Sequence, residues 1–376
     1  MSTAAILFSN LNDRTLSRLT QDRTVAAIPF ACRYRLIDFA LSEMVNADIS
    51  DIKVVTNYNY HSLVNHIGTG KDWDLARRGG GISIVSPFRY AHPGTAKMYA
   101  THLSALRSMA DSIIDMKADT VILADCDCIC NLDIAEILAG HHESGADVTF
   151  VAVDCPADYR RADKSAMFSC DRDGRVERVI RGDRFHEEAP LLSTGTMIMN
   201  REYLLRVLRE AAAFNYSSMN RDVFMNDYTR RYYRCHRHTG YFAAVADFDS
   251  YYAHSMELTR NAAARAELFE CPERRIFTNV HNSSPVYYAE GAQVKDSMIA
   301  DDCVIEGTVE NSILFRGVKI GRGSVVRNSI LFGSCYVGEW STVQYVVADK
   351  KVLIGDGKTI SGCESMPVYI DKGRHV

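Results

Sequence analysis

Short apolar segments alternate with amphipathic ones over the first 250 residues of the chain. Three runs, Ile52–Thr56, Thr120–Ala124 and Val148–Val153, have the composition and length of buried strands. Apolar side chains recur at helical spacing in Leu36–Val45 and in Tyr99–Ile113. Buried strands separated by helices predict an α/β sheet that is covered on both faces. Ligands of such sheets usually bind at the carboxyl ends of the strands.

The last 90 residues follow a different pattern, in which an aliphatic residue is followed by a glycine. Three such units begin at Ile320, Val337 and Ile354, and their starts lie 17 residues apart, close to three hexads. An aliphatic residue at every sixth position forms one apolar row inside a triangular coil, with small residues at the corners. The pattern therefore predicts a parallel β-helix, whose coils must stack to bury their inner face.

Length and charge narrow the class of protein. A chain of 376 residues is long enough for two or three domains, and we predict an α/β domain over 1–255, a linker over 256–285 and a β-helix domain over 286–376. The net charge of −4 argues against a nucleic-acid-binding protein. No apolar run reaches the roughly 18 residues that cross a bilayer, and the amino terminus lacks a signal-peptide pattern. We expect a cytoplasmic protein without a membrane partner.

The chain has eleven cysteines, three of which alternate along one predicted strand. Cys126, Cys128 and Cys130 would therefore share one face of that strand. A metal site would need a fourth ligand at a suitable spacing, and the sequence offers none. We interpret the three residues as buried apolar side chains.

Several motifs, in order along the chain, resemble those of the bacterial ADP-glucose pyrophosphorylases, which are glucose-1-phosphate adenylyltransferases. Arg33–Ser42 resembles the segment after the family's first strand, Gly94-Thr95-Ala96 its nucleotide-side motif, and Ser193-Thr194-Gly195 its sugar-site motif. Gly240-Tyr241-Phe242 resembles a later motif, and Gly70–Leu75 brings the chain closer to GlgD-type than to catalytic GlgC-type subunits. The resemblance implies a Rossmann-like nucleotidyltransferase domain followed by a left-handed parallel β-helix of hexapeptide repeats.

The resemblance implies a reaction in which ATP and glucose 1-phosphate give ADP-glucose and pyrophosphate for glycogen synthesis. Such chemistry depends on positioning and on charge stabilisation, through a glycine-rich turn, a cationic side chain and carboxylates that hold Mg²⁺. The turn after the first predicted strand, Phe8–Arg14, contains no glycine, and the first glycine of the chain is Gly68. Because a Cβ restricts left-handed backbone and blocks close approach of phosphate, the expected cradle is missing.

Two further elements of the family's catalytic machinery differ in this sequence. Matching to the family places Val25 and Ala26 where its catalytic lysine and proline stand, and Ala244 where a metal-binding aspartate stands. Counting back from Asp133 aligns the family's other metal aspartate with Asp127, whereas counting forward from Leu123 aligns it with Cys126. Asp127 is thus a possible vestigial metal ligand. The alternative is that Asp125 or Asp127 only caps a turn, and no catalytic residue is assigned.

The positions that bind the sugar in the family are better preserved in this sequence than the phosphate and metal positions. The substrate-binding positions that it implies are Gly94, Thr95, Arg181, Ser193, Thr194 and Gly195. Two alternatives stay open: Arg181 either binds the sugar phosphate or is a solvated strand residue, and Gly94 with Thr95 either line the nucleotide site or cap a helix.

Arg33 and Arg35 form a separate candidate site. The resemblance implies that a basic residue at the position of Arg33 belongs to an activator site for phosphorylated sugars, and arginine forks bind phosphate well. The alternative is a surface ion pair near Asp38. We predict an allosteric role for both arginines.

These features together predict a regulatory subunit with little or no turnover alone. It would need no cofactor itself and would assemble, as a heterotetramer, with a catalytic GlgC-type subunit that binds ATP and Mg²⁺. One alternative is an active nucleotidyltransferase that has rebuilt its phosphate site from Asn10, Arg14 and Asp127; another is a sugar-phosphate-sensing scaffold. A hexapeptide acyltransferase is disfavoured, because no histidine lies between Tyr287 and Met366.

Overall fold

The helices and strands below belong to the residues that the structure, a computed structural model, describes. These residues are 2–9, 16–76, 79–87, 98–155, 166–181 and 191–376. The strands of the first part are β1 (Thr3–Phe8), β2 (Pro29–Phe30), β3 (Tyr34–Arg35), β4 (Asp51–Val55), β5 (Gly81–Val85), β6 (Thr120–Asp125), β7 (Cys128–Ile129), β8 (Val148–Asp154), β9 (Ala166–Cys170), β10 (Val176–Arg181), β11 (Leu191–Asn200), β12 (Tyr233–Arg237) and β13 (Ala243–Ala244). The α-helices are α1 (Leu36–Asn46), α2 (His61–Ile67), α3 (His102–Ser108), α4 (Ala110–Ile114), α5 (Ile134–Ser144), α6 (Arg201–Ala213), α7 (Met225–Asp227), α8 (Phe248–Arg260) and α9 (Ala262–Phe269). Two short 3-10 helices, Val25–Ala27 and Lys71–Trp73, and one π-helix, Met219–Phe224, complete this part.

A mixed sheet forms the centre of the first part of the chain. Within the described residues its order is β10-β9-β11-β6-β1-β4-β5, and β8 pairs with both β11 and β12. The strands β1, β4, β5 and β6 run parallel, whereas β11 runs antiparallel to β6, β8 and β9. The predicted strands are confirmed, since apolar runs of this length are buried on both faces. The helix predicted over Tyr99–Ile113 is divided at Met109 into α3 and α4.

The second part of the chain is the predicted β-helix. Its strands are β14 (Tyr287–Tyr288), β15 (Gln293–Lys295), β16 (Met298–Ile299), β17 (Val304–Ile305), β18 (Thr308–Glu310), β19 (Ile313–Leu314), β20 (Lys319–Ile320), β21 (Val325–Arg327), β22 (Ile330–Leu331), β23 (Tyr336–Val337), β24 (Thr342–Gln344), β25 (Val346–Ala348), β26 (Leu353–Ile354), β27 (Thr359–Ser361) and β28 (Val368–Ile370). They form three parallel sheets of five strands. Ile320 pairs with Val337, and Val337 with Ile354, so the 17-residue period of the sequence is one coil of the left-handed helix. The predicted fold class is confirmed.

Small residues occupy the corners of the coils for a hydrogen-bonding reason as well as a steric one. The Ser312 hydroxyl accepts from the backbone N–H of Ser329 at 3.1 Å, and the Ser329 hydroxyl accepts from that of Val346 at 3.1 Å. A second ladder links the Ser324 hydroxyl to the N–H of Ser341 at 2.9 Å. Because the backbone at a buried corner cannot reach water, these serines satisfy donors that would otherwise be unpaired.

Helices α8 and α9 lie between the sheet and the coils. α8 continues to Arg260, so it passes through the boundary predicted at residue 255. Asn261 then caps α9 by accepting from the N–H of Ala264 at 3.1 Å. The Tyr252 hydroxyl donates to the carbonyl of Asn328 in the β-helix at 2.6 Å. One apolar cluster includes side chains of α8 and of the coils, and the helix therefore joins the two parts. None of the helices in the described ranges is long and apolar enough to span a membrane.

A buried ion pair crosses the same junction. The guanidinium of Arg23 donates to both carboxylate oxygens of Asp349, at 2.6 and 2.9 Å, and the two side chains are 3% and 5% exposed. Asp349 also accepts from the Tyr369 hydroxyl and from the N–H of Lys350, each at 2.6 Å. Because buried charges lose their hydration, such a pair is stable only when its remaining hydrogen-bonding capacity is satisfied, as it is here.

Removing one partner of this pair should destabilise the protein strongly. We expect Arg23→Ala to lower the free energy of unfolding by about 3–5 kcal/mol, because it leaves a carboxylate buried without its cation. The measurement is the midpoint of chemical denaturation at neutral pH. The control is Arg327→Ala, which removes an exposed pair with Glu310 and should lose less than about 1 kcal/mol. Equal losses in the two variants would contradict this account of the junction.

Candidate functional site

The candidate cleft lies where β1 and β6 end side by side. Phe8 and Asp125, the last residues of the two strands, are paired in register. Ligands of open α/β sheets bind outside this edge, and the side chain that follows a strand here can reach them.

Asp125 is held by a histidine at this edge. Its carboxylate lies 2.6 Å from Nε2 of His102, the first residue of α3, and the His102 ring packs edge-to-face on Phe8 with centroids 4.6 Å apart. The Asp125 and His102 side chains are 16% and 34% exposed, so the pair lies at the mouth of the cleft. Neither residue is among the site residues predicted from the sequence. The position of Asp125 at the carboxyl end of a buried strand is the signal that the sequence offers. That His102 contacts it can be seen only in the folded structure.

A bulge in β11 brings the sugar-site motif to this pair. Ser193 pairs with Ala152 and Met197 with Phe150. Three residues of β11, 194–196, therefore lie opposite a single residue of β8, Val151. Gly195 lies inside this bulge with a left-handed φ of 87°. A Cβ at Gly195 would lie 2.9 Å from the Asp125 carboxylate, so only glycine allows this approach.

The three residues of the motif do not face the same way. The Ser193 hydroxyl accepts from the N–H of Gly195 at 3.1 Å, and both residues are partly exposed. Thr194 is 1% exposed, and its hydroxyl donates to the carbonyl of Val151 at 3.1 Å inside the sheet. The hydroxyl of Thr194 is thus engaged within the sheet, and its assignment as a sugar ligand stays a prediction. Ser193 and Gly195 stay candidate substrate residues.

Asp127 occupies a more enclosed position than Asp125. It is 3% exposed, its carboxylate accepts from the Cys128 thiol at 3.6 Å, and its carbonyl accepts from the N–H of Val245 at 2.8 Å. Ala244 pairs with Cys128 in the two-stranded sheet β7–β13. The two positions where the resemblance implies metal aspartates are thus neighbours, and one of them is alanine. Cys126 is buried in an apolar cluster, and burial raises the pKa of its thiol well above the usual value.

The arrangement does not fit the magnesium site that the resemblance implies. Magnesium prefers several oxygen ligands around one point. Among the described residues no group of three aspartate, glutamate, histidine or cysteine side chains could hold a metal ion. Asp125 is instead paired with His102, and Asp127 is enclosed beside Ala244.

The helix Val25–Ala27 lies where the resemblance implies a catalytic cation. Its three side chains are at most 2% exposed and pack into two apolar clusters. The N–H of Ala26 donates to the carbonyl of Ser9 at 3.0 Å, which ties the helix to the end of β1. Apolar side chains in this position cannot neutralise a leaving pyrophosphate.

Other predicted residues lie partly or wholly outside the description. Gly94 and Thr95 fall outside the described residues, as do Asn10 and Arg14 of the predicted phosphate turn. Arg181 is the last residue of β10, and only its backbone is described.

A group of cationic side chains, in what we call the junction cleft, lies where the two parts of the chain meet. Arg35 precedes α1 and donates to the carbonyl of Ser62 at 2.6 Å, while Lys350 follows β25 beside the Arg23–Asp349 pair. Burial, together with the positive charges of Arg35 and Arg23, lowers the pKa of Lys350 to about 8, and the negative charge of Asp349 partly opposes this effect. Burial also lowers the pKa of Arg35 to about 10. Several cations held close together in a partly buried cleft favour an anionic ligand.

The two predicted allosteric arginines differ in burial. Arg33 is exposed in the turn between β2 and β3, whereas Arg35 is partly buried. The backbone N–H of Arg35 donates to the carboxylate of Asp38 at 3.0 Å. Nε2 of His66 lies 2.5 Å from the other carboxylate oxygen of Asp38. Both oxygens of Asp38 therefore already have hydrogen-bond partners, which disfavours a surface ion pair with Arg33.

A buried carboxyl supports the segment that follows β6. Glu43 of α1 accepts from the N–H of Leu132 at 3.1 Å and from the Cys130 thiol at 3.5 Å. It is 3% exposed, and burial raises its pKa to about 8, so the carboxyl is mainly protonated at neutral pH. The loop that carries Asp127 is therefore fixed to α1 by a neutral side chain.

Comparisons with known proteins match each part of the chain to a family model. The family model of nucleotidyl transferases matches residues 14–260, and a model of the GlmU-like C-terminal hexapeptide region matches residues 285–365. The chain is 33% identical to the glycogen biosynthesis protein GlgD of Bacillus subtilis over 96% of its length and 92% of that protein. It is 33% identical to GlgD of Geobacillus stearothermophilus over 83% of this chain and 79% of that protein. It is 30% identical to a glucose-1-phosphate adenylyltransferase of Thermotoga sp. strain RQ2 over 86% of this chain and 76% of that protein.

The raised pKa of Glu43 predicts a change in the dependence of stability on pH. The native state keeps the Glu43 proton up to about pH 8, whereas the unfolded state releases it near the ordinary value. Wild-type stability should therefore fall, relative to Glu43→Gln, by up to about 1.4 kcal/mol per pH unit as pH rises toward 8. Denaturation midpoints measured from pH 5.5 to 8.5 test this.

The exposed Glu136→Gln variant is the control for the glutamine substitution, and it should follow the wild-type curve. A constant difference between wild type and Glu43→Gln across the pH range would show that Glu43 does not bind this proton in the folded state.

Proposed function

We propose that this chain, which belongs to the nucleotidyl transferase family and within it to the GlgD-like members of the glucose-1-phosphate adenylyltransferases, is a regulatory subunit with little or no turnover of its own. It acts in glycogen biosynthesis, the process for which its GlgD relatives are named. A catalytic GlgC-type partner binds ATP and Mg²⁺ and joins glucose 1-phosphate to the α-phosphate of ATP. The two kinds of subunit form a heterotetramer.

The observation that carries the proposal is the distribution of charge in the cleft. Val25 and Ala26 are buried apolar residues where the family uses a cation, and Ala244 replaces one carboxylate. The carboxylate of Asp125 is hydrogen-bonded to the ring of His102. Losing one charge-stabilising group from an active site typically lowers the rate about 10²–10³-fold, so the combined loss favours a chain that does no chemistry.

The junction supports the regulatory part of the proposal. Arg35 and Lys350 lie on opposite sides of the contact between sheet domain and coils, so an anion bound there touches both. A ligand can shift an equilibrium only through a difference in its contacts between two states. An effector that bridges two domains has this property, and a phosphorylated sugar has the required charge.

The first coil supports assembly with a partner. The side chains of β14 and β15 are exposed, and Tyr287 and Tyr288 are 58% and 52% exposed. Each later coil covers the one before it, whereas this end of the stack presents aromatic surface that a second subunit could cover.

A kinetic experiment tests the proposal. The purified chain, supplied with ATP, Mg²⁺ and glucose 1-phosphate, should show at least about 100-fold less turnover than the usual ~10 s⁻¹ of an enzyme. Mixed with the GlgC-type subunit of the same organism, it should co-purify and change the activator concentration that gives half-maximal rate. An Asp125→Asn chain should leave the turnover per catalytic subunit unchanged.

Three results would contradict the proposal. Turnover of the chain alone near the usual value would favour an active nucleotidyltransferase with a rebuilt phosphate site. Loss of turnover in the mixture with Asp125→Asn would place chemistry in this cleft. Binding to the catalytic subunit without any kinetic effect would favour a scaffold.

The lowered pKa of Lys350 predicts how effector binding depends on pH. Because the amine loses its charge as pH rises through about 8, the affinity of the chain for fructose 1,6-bisphosphate should fall over pH 7–9. Lys350→Ala should weaken binding about tenfold at pH 7, the usual contribution of a hydrogen bond to a charged group. Lys350→Arg should keep the affinity at pH 7 and remove most of the decline. Isothermal titration calorimetry measures all three.

Lys319→Ala is the control for this series, because Lys319 is exposed on the outer face of β20, away from the junction. It should bind as the wild type does. Equal affinity in Lys350→Ala and wild type would exclude the junction as the effector site.

A further inference from the structure

An aromatic pair marks the end of α6. Asn215 adopts a left-handed φ of 54°, and the N–H of Tyr216 donates back to the carbonyl of Ala211 at 3.1 Å, which closes the helix. Phe214 and Tyr216, on either side of this turn, stack with ring centroids 5.8 Å apart and an interplanar angle of 27°.

The two rings differ in burial. Tyr216 packs against the core of the sheet domain, whereas Phe214 is 68% exposed. Between residues 191 and 279, a range that the structure describes without a gap, Phe214 is the only large apolar side chain that is mainly exposed. A protein interface buries a cluster of apolar residues, and a single ring does not provide one.

Phe214 lines a cavity whose other wall residues are mostly polar and balanced in charge. The cavity has a volume of about 510 Å³. Its charged wall residues are Arg206, Arg230, Arg231, Glu210, Asp222 and Asp227. Three positive and three negative groups give no net charge, so the cavity suits a neutral, polar ligand better than a phosphorylated one.

The polar groups of this wall are fixed by one another. Arg206 donates to the carboxylate of Asp227 at 2.9 Å and reaches Glu210 at 3.5 Å, and its guanidinium lies 4.8 Å from the ring centroid of Tyr203. Asp222 accepts from the backbone N–H groups of Ser217 and Ser218. Side chains that are already held in place lose little entropy when a ligand binds.

The cavity continues into a larger one along the surface. The neighbouring cavity, of about 1150 Å³, shares Arg206, Glu210 and Arg231 with it. Its lining includes Thr120 at the start of β6 and Asn200 at the end of β11. Both lie at the edge of the sheet opposite Asp125, so a ligand here would not compete with one in the cleft. Two adjoining cavities can hold more than one sugar unit of a chain.

We propose that this groove, from Phe214 to Thr120, binds a neutral glucan chain of α-1,4-linked glucose units. One face of a glucose ring carries C–H groups that stack on an aromatic ring, and its hydroxyls both donate and accept hydrogen bonds. Phe214 supplies the platform, and the paired arginines and carboxylates supply donors and acceptors in fixed positions. The choice of glucan rests on the proposed role in glycogen biosynthesis. Binding would keep the subunit beside the polymer to which a glucosyltransferase adds glucose.

Affinity electrophoresis of the full chain, without a partner subunit, tests the inference. Glycogen in a native gel should retard the chain, and dextran, with its α-1,6 linkages, should not. Phe214→Ala should weaken glycogen binding about tenfold, because it removes the aromatic platform. Phe214→Trp should retain binding, because it keeps an aromatic platform. The ring is 68% exposed, so Phe214→Ala should keep the wild-type denaturation midpoint, which separates lost binding from misfolding.

Trp340→Ala is the matched control, since Trp340 is also 68% exposed but lies on the β-helix. It should migrate in the glycogen gel as the wild type does. The inference is overturned if glycogen retards the wild-type chain no more than dextran does, or if Phe214→Ala binds as tightly as wild type. It is equally overturned if Phe214→Ala instead disrupts assembly with the GlgC-type subunit, since the occupant is then a protein.

Failure of this inference can be told apart from failure of the proposed function, because the binding test uses no catalytic subunit. Glycogen binding that depends on Phe214, in a chain that does not change the kinetics of the catalytic subunit, would support the groove and refute the regulatory role. Altered kinetics without glycogen binding would do the reverse.

Discussion

The ion pair between Arg23 and Asp349 is the contact on which the relation of the two domains depends. It joins a loop before the first helix to a turn of the β-helix and is closed off from water. Tyr369 and the backbone of Lys350 complete the hydrogen bonds of the carboxylate. Because a buried charge without its partner is strongly unfavourable, the domains cannot separate here without a large loss of free energy. The same contact brings Lys350 into the field of Arg35 and Arg23, and the cationic character of the junction follows from it.

The cleft of the sheet domain, unlike the junction, does not gather several cations among the described residues. At the positions where the family resemblance implies a cation and metal-binding carboxylates, the described residues include apolar and hydrogen-bonded side chains. Asp125 is hydrogen-bonded to His102, Asp127 is enclosed beside Ala244, and Val25 contributes only apolar surface. A Cβ at Gly195 would meet the Asp125 carboxylate, so the bulge needs glycine at this position. The close backbone approach is therefore present, while Val25 and Ala244 stand where the resemblance implies charged groups that stabilise developing negative charge.

Three separate surfaces would allow one chain to combine several signals. The cationic junction lies between the domains, the cleft lies at the carboxyl edge of the sheet, and the groove beside Phe214 lies at the opposite edge. Ligands at such distances can influence one another only through a change in the relative stability of two states. The coils of the β-helix are bonded to one another through their backbone and corner serines, and in the proposed assembly such a body would move as one unit when the junction changes.

The sequence by itself determined the elements whose signal is local. An apolar run such as Thr120–Ala124 must be buried, and a 17-residue repeat of aliphatic residues at Ile320, Val337 and Ile354 can be satisfied only by stacked coils. Only the tertiary structure decided which side chains meet. Arg23 and Asp349 are 326 residues apart, and His102 and Asp125 are brought together by the packing of α3 against β1 and β6. The bulge that turns Thr194 into the sheet and the burial that lowers the pKa of Lys350 likewise depend on neighbours from distant parts of the chain, which no local pattern records.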